Sequence, residues 1–513
     1  MLDKFINNII KHRIYVIIAF VFISILAVYS FATVKIDAIP DIGENQQIIF
    51  TDWSGVSPKD IEEQITYPLS NLMQGIPGIK EVRGMSAFGF SVIYVIFKDD
   101  IDFYWSRTRI LEKLTQAQNI LPKGVIPTIG ADATGLGQIF WYSVENKKDN
   151  PNPKSLADLR SIQDWYVKFH LQSVDGVSEV ASIGGFVKEY QIDIDPLQLF
   201  ARDLHFSKLI KAIKNSNIDV GAEVIEKGER EIIVRGLGFF KSIEDIKNVV
   251  IDVKNNTPIY VKDVANVHLG SSFRRGVLYS GEREIVGGVV ASRFGENSKE
   301  VIDKIENKML KISKGLPEGV EIKSFYNRKD IIQKAISTVY KSIIEEIIIA
   351  VCVIMFFLFH FRSSIIISLT LPLGVGISFI LMKIFGIDSN IMSLAGIIVA
   401  IGTMVDMGII MTENIYSRLS KNPKDRIKSI INSTKEITPA IVTAIATTII
   451  TFLPIFFLQN AEGKLFTPLA YAKTFALIGS VLVAIFLIPV LSVFFLKGKL
   501  KPIEENKISC KII

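Results

Sequence analysis

Apolar residues along this chain gather in two places. Residues 14–33 form a run without a charge, and residues 347–496 are apolar for most of their length. The stretch between carries the regular charge of a water-soluble fold. A helix of about 20 apolar residues crosses the hydrocarbon core of a bilayer, where the backbone must satisfy its own hydrogen bonds. Six spans are expected on that basis, at 14–33, 343–361, 364–385, 391–416, 439–458 and 474–496. The first is long for the core of a cleaved leader and lacks a small-residue cleavage region after it, so it reads as a retained helix.

The section between the apolar regions repeats itself. Residues 75–97, GIPGIKEVRGMSAFGFSVIYVIF, match residues 173–195, SVDGVSEVASIGGFVKEYQIDID, without a gap at an offset of 98. Each copy follows a leading strand (47–53; 138–144) and an amphipathic helix (58–73; 156–171), and a further helical stretch comes after it (103–120; 197–200 with 208–214). This order describes a split βαβ unit of the ferredoxin-like kind, and the gap-free match points to duplication. Residues 220–267 interrupt the second copy with hairpin-like strands at 230–235 and 257–261, a sign of a docking subdomain. The unit resumes at 284–293, with a helix at 298–313 and a strand at 321–326. The expected fold class is an α-helical membrane protein of six spans with an α+β insertion of two ferredoxin-like modules. The expected boundaries are 1–33, 34–130, 131–342, 343–496 and a tail at 497–513.

Loop charge sets orientation. Arg418, Lys421, Lys424, Arg426, Lys428 and Lys435 lie between the fourth and fifth spans, with Asp425 among them. Lys497, Lys499 and Lys501 follow the sixth span, and Lys4, Lys11 and Arg13 precede the first. Six spans bring all three groups to one side, which places both termini in the cytoplasm and the insertion outside it. A net charge of +6 is small for this length and gives no reason to expect nucleic acid. Cys352 and Cys510 lie too far apart for a C-x-x-C site, and the five histidines show no ligand spacing. The sequence offers neither a nucleophile–base pair nor a phosphate-binding loop, which argues against an enzyme.

The fourth span reads VAIGTMVDMGIIMTEN over residues 399–414. A charged residue at the bilayer centre costs about 2.5–3.5 kcal/mol on insertion scales and is functional by default. Asp406 lies near the middle and Glu413 seven residues on, nearly two helical turns, so both share one face. A carboxylate withdrawn from water takes up protons near neutral pH, which is what coupling to a proton gradient requires. The alternative is a structural ion pair. Lys383 and Lys473 lie at span edges, leaving no base expected deep in the other five spans. Asp406 is therefore either a proton relay, with Glu413 a secondary one, or pairs with a base on another chain. Met392, Met404, Met407 and Met411 share the same helix. Thioethers prefer Cu(I) to hard ions, and they also fill gaps in cores, so ligation and packing both stand.

Several stretches carry a family resemblance: IPDIGENQQIIF from residue 39, TYPLSNLMQGIPGIKEVRGMSAFGFSVIYVIF, GADATGLGQIFWY, LRSIQDWYVKFHLQSVDGVSEVASIGGFVKEYQIDIDP and LFHFRSSIIISLTLPL. With one span, a duplicated insertion and five spans bearing a mid-span Asp, the chain resembles the first half of a resistance-nodulation-division transporter of the heavy-metal efflux branch. The resemblance implies a proton antiporter of the bacterial inner membrane with a periplasmic porter domain, Asp406 as relay, protons as coupling ion and no cofactor. It also implies a trimer working with a periplasmic adaptor and an outer-membrane channel.

Divalent-cation members carry an Asp six residues before the relay, where this sequence has Ala400. The motif resembles instead the copper/silver type, for which Met392, Met404 and Met411 fall on the metal path and Cu(I) or Ag(I) is the cargo. That type commonly has Met before Arg-Arg-Gly; here Phe273 stands there, which puts one stepping stone in doubt. Family members continue with a second copy of the whole plan. The expectation is an N-terminal half that needs a separately encoded C-terminal half, the alternatives being an inactive truncated remnant or a Co/Zn/Cd efflux half.

Overall fold

A computed structural model describes residues 2–497 apart from 229, 255, 282, 359–360 and 422–424. Lys424, Lys499, Lys501, Cys510 and most of the expected tail lie outside the described residues. The chain begins with α1 (Leu2–Lys11), which buries Ile6, Ile9 and Ile10, and turns at His12 into the apolar α2 (Arg13–Thr33).

The first of the two modules follows. Its elements are β1 (Gln46–Asp52), α3 (Pro58–Ile61) running through a π turn at Glu62–Thr66 into α4 (Tyr67–Gln74), β2 (Ile79–Ala87), β3 (Phe90–Phe97), α5 (Phe103–Ala117) and β4 (Thr128–Ile129). The sheet order is β2-β3-β1-β4, with β1 antiparallel to β3 from Gln46↔Ile96 to Asp52↔Phe90. Ile61, Ile65 and Leu69 of the first helix and Ile110 and Leu114 of α5 pack with Ile49, Ile93 and Val95 of the sheet.

The second module opens the same way, with β5 (Gln138–Asn146), α6 (Leu156–Ile162), a π turn at Gln163–Val167, α7 (Lys168–Gln172) and β6 (Val177–Ile183). The duplication reaches individual side chains at the offset of 98. Ser57 and Ser155 each cap the first helix by accepting from the backbone N–H three residues on, worth about 1 kcal/mol apiece. Gly78 and Gly176 both turn the chain with positive φ, at 80° and 89°. A Cβ on either would press on a branched side chain, 2.7 Å from Ile101 and 2.5 Å from Val301.

The repeat in sequence then parts from the repeat in space. The alternating segment at 188–195 was expected to fill the place of β3. It forms β7 (Lys188–Ile194), which leaves the module and pairs with β12 (Ala265–Ser271). The central position is taken by β14 (Arg283–Ser292), which lies between β5 and β6, with β15 (Val320–Asn327) on the other edge of β5. Burial explains the exchange. Residues 285–290 of β14, IVGGVV, are nearly all buried, like the core of β3, whereas KEYQIDI of β7 is charged and largely exposed. A strand flanked on both sides and covered by helices needs a continuous apolar run. Gly288 also leaves room for the Tyr142 ring, which a Cβ would strike.

The excursion begins at β7, well before residue 220. It holds α8 (Pro196–Ala201), α9 (Phe206–Ser216), the hairpin β8 (Val220–Lys227) and β9 (Arg230–Gly236), α10 (Ile243–Lys247), the hairpin β10 (Val250–Lys254) and β11 (Thr257–Tyr260), and β12. β13 (Leu278–Ser280) leads back to β14, and α11 (Ser298–Lys314) precedes β15.

The remaining helices are α12 (Arg328–Leu358), α13 (Phe361–Ile384), α14 (Ile391–Lys421), α15 (Arg426–Phe452), and α16 (Asn460–Leu482), which passes through a π turn at Val483–Leu487 into α17 (Ile488–Phe495). Among the described residues, five helices are long and apolar enough to cross a membrane: Arg13–Thr33, Phe361–Ile384, Ile391–Lys421, Arg426–Phe457 and Asn460–Phe495. The expected span at 343–361 corresponds to the second half of α12, where Glu345 and Glu346, just after Lys341, break the apolar run; residues 359–360 lie outside the described residues. The expected count of six therefore turns on α12.

Candidate functional site

The candidate site is built on α14. Ala400, Met404, Met407, Met411 and Ile415 of this helix are buried with Leu371, Ile441, Ala476 and Leu477 of the neighbouring helices. The opposite face is uncovered: Val399, Gly402, Asp406, Ile410 and Glu413 are exposed, spaced by three or four residues. The spacing thus does put both carboxylates on one face. The desolvation expected for Asp406 is not supplied by this chain's own helices, because α13 and α16 occupy the other side. Neither Asp406 nor Glu413 forms an ion pair or hydrogen bond among the described residues.

The methionines lie where the packing is tightest. Met404 is 2% exposed and Met411 fully buried, and the Met404 methyl rests against Gly374 of α13. Met407 accepts a hydrogen bond from the Ser480 hydroxyl at 3.1 Å. Met392, in the first turn of α14, is half-buried. Within this core cluster α16 contributes Ala476 and Leu477, so the sulfurs on α14 meet aliphatic groups and a hydroxyl. Successive residues on a helix are 100° apart, so Met404 and Asp406, two residues apart, point to nearly opposite sides.

Lys473 differs from its expected place at a span edge. The helix of the last span starts at Asn460, fourteen residues before 474, which carries Lys473 into its interior. It is 7% exposed, with its ammonium 3.5 Å from the centre of the Phe452 ring. The contacts of Gly396 with Leu469 and of Met407 with Ser480 set the register of α14 on α16. That register sets Lys473 beside Ala400, six residues or about 9 Å along the axis from Asp406.

The fourth expected span is not alone in carrying carboxylates. Glu345 and Glu346 fall inside the expected second span, and the adjacent pair is plain in the residues themselves. Glu345 is 3.7 Å from Lys341, whereas Glu346 has one oxygen buried without a partner among the described residues. The hydroxyls of Ser363 and Thr412 and the side-chain amide oxygen of Asn414 are likewise buried without partners among the described residues, and no periodicity marks them.

Two junctions tie α14 to the two modules. At its N-terminal end the Ile391 N–H donates to Ala38 O, and Ser389 exchanges backbone hydrogen bonds with Lys35 and Asp37. Asp37 in turn accepts from Arg328 at 2.9 Å and from Ser298 of the second module at 3.1 Å. Arg328 is 7% exposed and also donates to Leu136 O, so its charge is both paired and hydrogen-bonded, as a buried guanidinium requires. Burial in this turn raises the Asp388 carboxyl above its ordinary range, opposed by Lys35 and reinforced by Asp37. The second junction runs through α16, where Lys464 lies 2.7 Å from Asp99 and donates to Gly43 O, both in the first module.

Phe273 is 80% exposed on the segment joining β12 to β13. Two residues on, Arg275 reaches the first module, donating to Phe88 O at 2.7 Å and covering the Phe90 ring. An aromatic side chain therefore stands near the contact between modules where a soft donor was looked for.

Comparison with known proteins shows what the chain is similar to. A family profile described as the AcrB/AcrD/AcrF family matches residues 5–510. The cation efflux system protein CusA of Escherichia coli K12 is 40% identical over 521 residues, covering 99% of this chain and 50% of CusA. The putative cation efflux system protein SilA of Salmonella typhimurium is 39% identical, covering 100% of this chain and 50% of SilA. The cobalt-zinc-cadmium resistance protein CzcA of Cupriavidus metallidurans is 31% identical over 99% of this chain and 49% of CzcA. A crystal structure of a heavy metal efflux pump superposes with a TM-score of 0.85 at 29% identity, covering 95% of this chain and 48% of that one. The chain spans about half the length of the curated relatives it matches. Matched along nearly its whole length, the chain belongs to the AcrB/AcrD/AcrF family, the resistance-nodulation-division transporters, and within it to the heavy-metal efflux branch.

Proposed function

We propose that this chain forms the N-terminal portion of a proton-coupled efflux pump for Cu(I) and Ag(I). The observation that carries the reading is the uncovered face of α14. Two carboxylates about two turns apart on a membrane helix are costly against lipid and belong against protein or water. In this reading the face is completed by the part of the pump that this chain does not cover, and Asp406 loads and unloads protons there with Glu413 beside it. The membrane part then counts six spans, α12 among them, with both termini cytoplasmic and the two modules in the periplasm. The modules are of the ferredoxin-like kind and work in a trimer with an adaptor and an outer-membrane channel. The protein is a secondary transporter and not an enzyme.

Two features favour monovalent copper and silver over zinc or cobalt. Ala400 is fully buried, so the divalent pattern's extra carboxylate is missing and its site is filled. Met404 and Met411 offer soft thioethers in one buried column, with Met392 at its outer end. Metal and protons would then travel on opposite sides of a single helix. Deleting this chain from its native cells should lower tolerance to silver and copper and leave tolerance to zinc, cobalt and cadmium unchanged. Sensitivity to the divalent ions alone would overturn the metal assignment.

A further inference from the structure

The turn between α1 and α2 builds a site with no part in the proton or metal path. A cleft of about 560 Å³ opens there, lined by Asn7 and by residues 10–15 on one side and by Ile427 and Ile431 of α15 on the other. The volume is within the range of small-molecule sites. Its rim is cationic and its walls apolar. Lys11 and His12 are exposed, Arg13 is half-buried, and none of the three has a carboxylate partner among the described residues. The elbow is held in place. Ile6, Ile9 and Ile10 are buried and fix α1 against the bundle, and the Arg13 guanidinium lies 5.8 Å from the centre of the Phe494 ring. The cations are therefore set at one end of an apolar helix by packing beneath them.

We propose that this cleft binds the headgroup of an anionic phospholipid, with the phosphodiester between Lys11 and Arg13 and the start of an acyl chain along Ile14 and Ile427. The inference rests on reading α2 and α15 as membrane spans. Basic clefts between helices at the cytoplasmic surface suit anionic headgroups, and each cation near such a surface contributes roughly 1 kcal/mol. Free phosphate would meet the same cations and gain nothing from Ile14, Tyr15, Ile427 and Ile431, three of which present large apolar area to the surroundings. The apolar walls thus commit the site to a lipid.

The test uses the purified chain in neutral detergent, titrated with dioleoyl-phosphatidylglycerol, dioleoyl-phosphatidylcholine or inorganic phosphate and followed by native mass spectrometry. Phosphatidylglycerol should bind about tenfold or more tightly than phosphatidylcholine. K11Q/R13Q should abolish that preference, K11R/R13K should keep it, and K421Q/K428Q, which removes the same charge elsewhere, should also keep it. Equal binding of the two lipids, a preference that survives K11Q/R13Q, or loss of bound lipid on adding inorganic phosphate would each overturn the assignment. A chain that holds no lipid of either kind and stays soluble without detergent would instead overturn the membrane reading beneath it.

Discussion

Cells that carry Asp406→Asn in this chain should lose silver tolerance to the level of cells lacking the chain, while the amount of protein in the membrane stays unchanged. Asparagine matches aspartate in shape and keeps polar hydrogen bonding, but it cannot exchange a proton at physiological pH. The change removes a group that costs about 2.5–3.5 kcal/mol at the bilayer centre, so the variant is expected to be no less stable than the parent. Asp406 is exposed on α14 and makes no ion pair among the described residues, so its loss opens no cavity in this chain. Loss of tolerance would then report coupling and not folding. Glu413→Gln should give a smaller deficit, because Glu413 lies nearer the end of the span. Full tolerance with Asp406→Asn, measured as growth against silver concentration, would remove Asp406 from the proton path.

Gly396→Val should cripple the membrane part through packing alone. α14 and α16 approach so closely at Gly396 that a Cβ there would overlap the carbonyl oxygen of Leu469 and stand 3.1 Å from its carbonyl carbon. Both obstacles are backbone, which cannot swing aside as a flexible side chain can. Small residues are what let membrane helices meet at this distance. Forcing them apart should cost about 3 kcal/mol, at the upper end of overpacking effects. It would also shift Ser480 from Met407 and α16 from the methionine column. The unfolding midpoint in detergent should fall clearly. Gly402→Val, on the uncovered face of the same helix with no atom near its Cβ in this chain, should not lower it. Equal midpoints for Gly396→Val and the parent would mean the two helices are not in this register.

How much of this could be read in the residues depended on whether the signal was local. The apolar runs, the 98-residue repeat and the shared face of Asp406 and Glu413 follow from composition and helical spacing, which act within a few turns. Strand order did not follow. The segment that continues the repeat after Gly185 is β7, yet the place beside β6 goes to β14, some 100 residues on, because β14, unlike β7, has the apolar core a covered central strand needs. Lys473 was misplaced for a related reason. Hydropathy marks where lipid begins, whereas α16 starts fourteen residues earlier in contact with the first module through Lys464 and Asp99. Whether Met404 and Met411 pack or bind could not be decided from residue type. The structure puts both in the core, a position that serves either role.

Whether the Asp406 face meets protein or lipid separates a working pump surface from a stranded polar helix. A photo-activatable diazirine side chain at Ile410 probes it directly, since Ile410 lies between Asp406 and Glu413 and is 48% exposed in this chain. After irradiation in native membranes, the predicted result is a cross-link to protein at Ile410, while the same probe at Ile18 of α2 labels lipid. Lipid adducts alone at Ile410 would contradict the assignment of this face to the proton path.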